Sequence, residues 1–538
     1  MQGHGGVFAA EVLRRHGVEV LFTLSGGHLF SLYDGCVKGD VRIVDTRHEQ
    51  TATFAAEGWA KVTRRPGVAA LTAGPGVTNG LSAITTAHLN GSPILVIGGR
   101  APQARWGSGS LQELDHVPIV ASVTKRATTA ATTADIPIEL DAALTAACTP
   151  HRGPTFVDVP LDAFFIPAEA DVPEPARAPD REPDPDSLTR VAKLLAAAER
   201  PVFVAGADVY WDRAEDALVR LAEAARVPVF VNGLGRGTSP ADHELAFSRA
   251  RATALREADL VIVAGTPLDF RLGFGRFGDA AVVHLGDSAE QVARHVDLTA
   301  SSAGDLGLVL DGVADRVGAG ARPDHESWVA RLRDEERAKR AAERDQLEAD
   351  GTPIRPSRIY GELVKRLDRD AIVIGDGGDF VSYAGKYVDT FTPGCFLDPG
   401  PYGCLGTGPG YAIAARLAHP DRQVVLLLGD GAAGFSLMDF DTMLRFGLDV
   451  VAIVGNNGIW GLEKHPMRML YGYDVAAELR PGTRYDQVVT ALGGHGELVA
   501  EPRDLGPAID RALAAGVPAL VNVLTDPEDM YPRSSNLG

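Results

Sequence analysis

The 538-residue chain has little cysteine, and Cys36, Cys148, Cys395 and Cys404 stand far apart without metal-ligand spacing. This argues against a disulfide scaffold or a thiolate metal site, and reads as a cytoplasmic protein with reduced thiols. No run of eighteen apolar residues occurs, which argues against a membrane-spanning helix. Met1-Gln2-Gly3-His4-Gly5-Gly6 lacks the charged flank and apolar run of a secretory signal. Positive charge is scarce too: 52 Lys and Arg against 71 Asp and Glu leave a net charge of −19. A nucleic-acid partner would need a basic face to neutralise phosphates, so none is expected. Small anions remain open, because a few local donors outweigh a diffuse, screened charge. Apolar residues at 45% and charged residues at 23% suit a soluble protein with large cores.

Two linkers divide the chain. Pro167 to Pro185 carries six prolines among acidic residues, a poor core former. Gly318 to Pro356 contains a highly charged helical stretch, Glu326 to Leu347, expected to connect rather than catalyse. The domains expected are therefore 1–166, 186–320 and 353–538. In the first, apolar runs at Val18–Leu24, Val41–Asp45, Val68–Thr72 and Ile94–Gly98 read as strands. His48–Val62 and Thr78–Leu89 read as the helices between them. The last repeats the design with strands at Ala371–Ile374, Val424–Leu428, Val450–Val454 and Ala519–Val523. The middle segment offers Pro201–Ala205 and Asp259–Ala264. Such alternation predicts an α/β protein of three doubly wound parallel-sheet domains, with ligands beyond the carboxyl ends of the strands.

At such an end, Val424–Leu428 runs into Gly429-Asp430-Gly431, and 27 positions after Asp430 another apolar strand runs into Asn456-Asn457-Gly458. Adjacent parallel strands would bring a carboxylate and a carboxamide together as hard oxygen ligands for magnesium or calcium. Gly431 would permit close backbone approach, and a helix starting near Gly434 would offer amides to a diphosphate. Each motif alone is an ordinary turn; their pairing after apolar strands is the specific signal. It resembles the metal and diphosphate motif of thiamine-diphosphate enzymes. That resemblance implies Asp430, Asn457 and the carbonyl of Ile459 as holders of Mg2+, with Gly378, Gly403, Leu405, Gly431, Ala432 and Asn457 around the cofactor.

Upstream, Arg47-His48-Glu49-Gln50, Ala55-Ala56-Glu57-Gly58 and Gly74-Pro75-Gly76-Val77-Thr78-Asn79 resemble the pyrimidine-binding domain of the acetolactate synthase and decarboxylase group. The resemblance makes Glu49 the carboxylate that holds the aminopyrimidine ring and stabilises its imino form. Gly403-Cys404-Leu405-Gly406 matches the segment whose apolar side chain wedges the cofactor into its folded shape, although Leu405 also reads as plain core. In this family the first domain of one subunit meets the third of another, which implies a homodimer at minimum and a homotetramer commonly.

Three regions bear on the reaction. Gly461-Leu462-Glu463-Lys464-His465 places a glutamate where acetolactate synthases carry an apolar residue. Glu463 is a proton shuttle over the cofactor or a helix residue paired with Lys464. Leu111-Gln112-Glu113 resembles an active-site segment and nominates Gln112. Ser25-Gly26-Gly27-His28 presents a histidine that either faces the substrate or has no active role. The wording of the whole chain is most similar to short-chain bacterial 2-hydroxyacyl-CoA lyases, which implies cleavage of an acyl-CoA substrate to formyl-CoA and an aldehyde or ketone. Acetolactate synthase and 2-oxoacid decarboxylase are the alternatives, and a non-catalytic nucleotide-binding regulator is a remote one. The middle segment shows no clear phosphate fingerprint; ADP or CoA there would use the run Asp269 to Gly275, where Arg271 serves a phosphate or a salt bridge. The polar tail from Tyr531 to Asn536 is a candidate cover for the site.

Overall fold

A computed structural model describes residues 1–176, 181–319 and 324–531. The proposed cover formed by the tail lies, beyond Tyr531, outside the described residues, as does part of each linker. Every sheet of three or more strands is wholly parallel. Across the first sheet the strands run Arg42–Asp45, Val20–Thr23, Gly67–Leu71, Ile94–Arg100, Thr155–Pro160 and Arg126–Thr129. The third sheet runs Phe396–Leu397, Ile372–Asp376, Val424–Gly429, Val451–Asn456, Ala519–Leu524 and His495–Val499. Numbered along the chain, both follow the order 2-1-3-4-6-5, so the two sheets share one topology. The central sheet has five strands: Val229–Val231, Pro201–Ala205, Leu260–Ala264, Ala281–Gly286 and Ala300–Ala303.

Burial explains which strands the sequence reveals. Gly67–Leu71 and Ile94–Arg100 are buried along their whole lengths, as strands covered by helices on both faces must be. The strands it hides are short or polar. Ala300–Ala303 reads Ala-Ser-Ser-Ala, Phe396–Leu397 has two residues, and Thr155–Pro160 carries Asp158 in the core. The charged helix Glu326–Leu347 is more than a connector. Trp328, Val329 and Leu332 join the central core, and buried Glu336 accepts from the backbone amides of Ser248 (3.1 Å) and Ala250 (3.0 Å). Its few apolar residues share one face, which an averaged composition conceals. Among the described residues no helix is long and apolar enough to cross a membrane.

The first and third sheets share a core, because helix Glu49–Thr63 packs directly on helix Thr407–Ala418. Glycines set that approach. A Cβ on Gly58 would lie 2.8 Å from the Tyr411 Cα, and one on Gly410 would lie 2.7 Å from the Phe54 Cβ. Beside them Glu57, fully buried, accepts from Tyr411 (2.7 Å), Asn90 (2.8 Å) and Ser92 (3.0 Å) and pairs with buried Lys61. The motif Ala55-Ala56-Glu57-Gly58 is thus a fastening between two domains. Gly410→Val is expected to cost about 1–3 kcal/mol through overpacking, read as a lower denaturation midpoint. An unchanged midpoint would mean the helices separate freely.

Candidate active site

Strands Val424–Gly429 and Val451–Asn456 pair in parallel with Gly429 opposite Gly455, so the two chain segments leave the sheet side by side. Asp430 follows one of them and is buried. Its Oδ2 accepts from the Gly458 amide (2.7 Å) and its Oδ1 from the Gly431 amide (3.0 Å). Even so, burial outweighs these amide bonds and pushes its carboxyl up to about 6. The two asparagines divide their work. Asn456 turns into the fold, donating to the Thr483 carbonyl (2.9 Å) and to Asn522 (3.1 Å). Asn457 lines the cavity, its Oδ1 accepting from the Ile459 amide (3.1 Å).

That cavity, about 580 Å3, brings together Asp430, Asn457, Ile459, Gly378, Gly403, Leu405, Gly431, Ala432 and Glu463. Its volume is that of a cofactor-sized site. Oxygen donors from Asp430, Asn457 and the Ile459 backbone fit a hard divalent cation.

Local details differ from expectation. The helix after the strand spans Asp430–Ser436, starting at the aspartate rather than near Gly434, where a first-turn carboxylate is favoured by the helix dipole. What Gly431 admits is an indole: a Cβ there would lie 2.4 Å from the Trp460 ring. Lys464 is buried and paired with Glu478, so the pairing of Glu463 with Lys464 is not formed. Glu463 is exposed in the first turn of helix Gly461–Tyr471 and has no hydrogen-bond or ion-pair partner among the described residues.

Sequence reasoning passed over Asp376, fully buried at the end of strand Ile372–Asp376. It accepts from the amides of Gly406 (3.2 Å) and Gly408 (2.8 Å), fixing the turn that presents Leu405. The signal was available, since Gly375-Asp376-Gly377 repeats the glycine–aspartate–glycine pattern at a strand end. Also passed over were Arg236 and Arg251, which line the same cavity with Arg271 from the central domain. Burial, with Arg236 and Arg271 nearby, lowers Arg251 to about 10. Arg271 is clamped by Asp269 at 2.7 Å, but among the described residues no carboxylate pairs with Arg236 or Arg251.

None of Glu49, His28 and Gln112 lines this cavity. They sit instead on the first domain. Glu49 is buried and accepts from the Asn79 side chain (3.0 Å). His28 is bonded to Thr72 (3.1 Å), and burial lowers its pKa, keeping it neutral near pH 7. Gln112 lies against Gly74, its Cβ 3.1 Å from where a Gly74 Cβ would stand. The Gly74 amide donates to His116 Nε2 (2.9 Å), which leaves the ring proton on Nδ1, facing Asp158 (3.1 Å). Arg100 completes that buried support through Asp158 (3.0 Å). One chain thus carries two separate faces with chemical potential.

Residues 4–119, 188–313 and 376–523 match, in turn, family models described as thiamine pyrophosphate enzyme N-terminal TPP binding domain, central domain and C-terminal TPP binding domain. The chain is 54% identical to a probable acetolactate synthase of Mycobacterium bovis, over 99% of this chain and 98% of the relative. An acetolactate synthase large subunit of Mycobacterium tuberculosis matches to the same extent. A 2-hydroxyacyl-CoA lyase 2 of Caenorhabditis elegans is 34% identical over 99% of this chain and 91% of the relative.

Proposed function

The chain belongs to the thiamine pyrophosphate enzymes, and on that premise we propose that it joins 2-oxoacids as an acetolactate-synthase-type carboligase. The observation that carries this reading is its 54% identity, end to end, with two relatives named as acetolactate synthases. The 2-hydroxyacyl-CoA lyase that the wording of the sequence favoured becomes the second reading, its relatives being more distant. Two features of the cavity keep it: the unpartnered Glu463, and Arg251 with Arg236, which suit a polyanionic substrate such as a CoA thioester.

In either reaction the bound cofactor supplies an acyl carbanion equivalent. Asp430, Asn457 and the carbonyl of Ile459 would hold Mg2+ beside the diphosphate end of the cofactor, Leu405 would shape the cofactor and Glu49 would activate it. The residues that touch substrate then decide the outcome. Making or breaking a carbon–carbon bond beside a hydroxyl moves a proton on that oxygen, and the Glu463 carboxylate is placed to give or take it. Gln112 and His28 contribute polar contacts from the other face. Because Glu49 lies outside the Asp430 cavity of its own chain, the complete site requires a partner subunit, and the active form is a homodimer or larger.

The test is a product assay with thiamine diphosphate, Mg2+ and either pyruvate or 2-hydroxyisobutyryl-CoA. Acetolactate from pyruvate with the thioester untouched is expected; formyl-CoA and acetone from the thioester would make the lyase the activity. In the lyase reaction Glu463→Gln is expected to lower kcat by about 10²-fold or more with cofactor binding retained. Unchanged turnover would remove the assigned role.

A further inference from the structure

We propose a second divalent-cation site, for a first-row transition metal of the zinc or manganese type, formed by His151, Asp208 and Asp287 where the first domain meets the central one. His151 precedes strand Thr155–Pro160. Asp208 lies in helix Ala207–Trp211 at the end of strand Pro201–Ala205, and Asp287 directly follows strand Ala281–Gly286. Three separate parts of the fold therefore converge on one point. His151 Nδ1 stands 3.2 Å from Asp287 and 3.5 Å from Asp208, and one ligand atom from each of the three lies within 4.8 Å of the others. Ligands about 2.0–2.2 Å from a tetrahedral metal stand roughly 3.3–3.6 Å apart, so both distances from His151 already suit a shared ion and the two carboxylates have at most about 1.5 Å to close.

Charge makes the same case. Asp208 and Asp287 are both buried. Asp287 Oδ1 is buried with no hydrogen-bond partner, a costly state for a carboxylate oxygen. The neighbouring Asp212 takes the nearest guanidinium groups, Arg152 at 3.0 Å and Arg181 at 2.9 Å. Lys125 spends its ammonium on the carbonyls of Ala146 and Thr149. His151 is the side chain that lies within ion-pair distance of both buried carboxylates, while Arg152 and Lys125 act on them only from farther away. One imidazole and two carboxylates are a donor set for zinc or manganese rather than for magnesium. A cavity of about 320 Å3 lined by His151 and Asp208 gives access. Arg271 and Asn232 line both this cavity and the larger one beside it, so the site flanks the catalytic cavity without belonging to it. The ion there would clamp the first domain to the central one.

The experiment uses the full-length protein with thiamine diphosphate and saturating Mg2+, crystallised and soaked in Co2+ as the probe. An anomalous peak between His151, Asp208 and Asp287 is expected; crystals with Co2+ elsewhere and none there would overturn the proposal in favour of two carboxylates sharing a proton. In solution, the wild type should take up one more Co2+ per chain than His151→Gln, and its denaturation midpoint should rise with Zn2+ while that of the variant does not. Equal uptake by both proteins would also overturn it.

Discussion

Glu49→Gln is expected to lower kcat by about 10²–10⁴-fold while thiamine diphosphate and Mg2+ still bind. The substitution keeps the shape of the side chain and leaves an oxygen to accept from Asn79, which now stands 3.0 Å from Glu49 Oε2. The helix that begins at this residue is fastened elsewhere, through Glu57 and Tyr411, so the fold should hold. What is lost is a buried carboxylate able to stabilise the imino form of the aminopyrimidine, and its bonded neighbour Asn79 is an amide that cannot replace the charge. The measurement is kcat alongside cofactor affinity from tryptophan fluorescence. A full turnover rate would take activation away from Glu49.

Asp430→Ala is expected to weaken metal-dependent cofactor binding by about 100-fold or more, measured by calorimetry with thiamine diphosphate and Mg2+. The wild-type protein should show the same dependence through pH. With its carboxyl pushed up to about 6, Asp430 is protonated below that value and cannot ligate. Apparent Mg2+ affinity should therefore fall by about tenfold per unit below pH 6 and level off above pH 7. An affinity flat from pH 5 to 8 would mean that Asp430 is not a ligand. The two variants also test how the site is assembled. Mixed and allowed to exchange subunits, Glu49→Gln and Asp430→Ala chains should recover about a quarter of wild-type activity, because half the dimers are mixed and each has one intact site. No recovery would place both residues in one chain's site.

The gathering of Asp430, Asn457 and Ile459 at one cavity was legible because its logic is local. An apolar strand ending in Gly429-Asp430-Gly431 and another ending in Asn456-Asn457 must leave a parallel sheet at the same edge, and their spacing says which residues stand there. Asp376 follows the same rule at the next strand. Glu463 was legible as a residue but not as a group: whether it pairs with Lys464 depends on where Glu478 lies, fourteen positions on, and only the folded chain brings Glu478 to that lysine. Of the central-domain arginines only Arg271 stood out in the sequence, within the run Asp269 to Gly275; Arg236 and Arg251 gave no motif. Arg236 follows the short turn Gly233–Gly235, Arg251 opens helix Arg251–Glu257 and Arg271 lies in the turn Phe270–Gly275, and the folded chain brings all three to one cavity with residues of the third domain.

The sequence by itself determined the fold class, the cofactor and the residues at the strand ends, since periodicity, strand-end chemistry and motif spacing act over a few residues and survive in the linear order of the chain. Tertiary structure alone decided the rest. It made Glu57, Gly58 and Gly410 a fastening between the first and third domains, turned the charged helix Glu326–Leu347 onto the central core, left Glu463 unpaired, and gathered His151, Asp208 and Asp287. Each of these depends on which groups share a buried, low-dielectric space, where one neighbour more or less decides whether a charge is satisfied. That neighbour is remote in sequence and adjacent only in the folded protein.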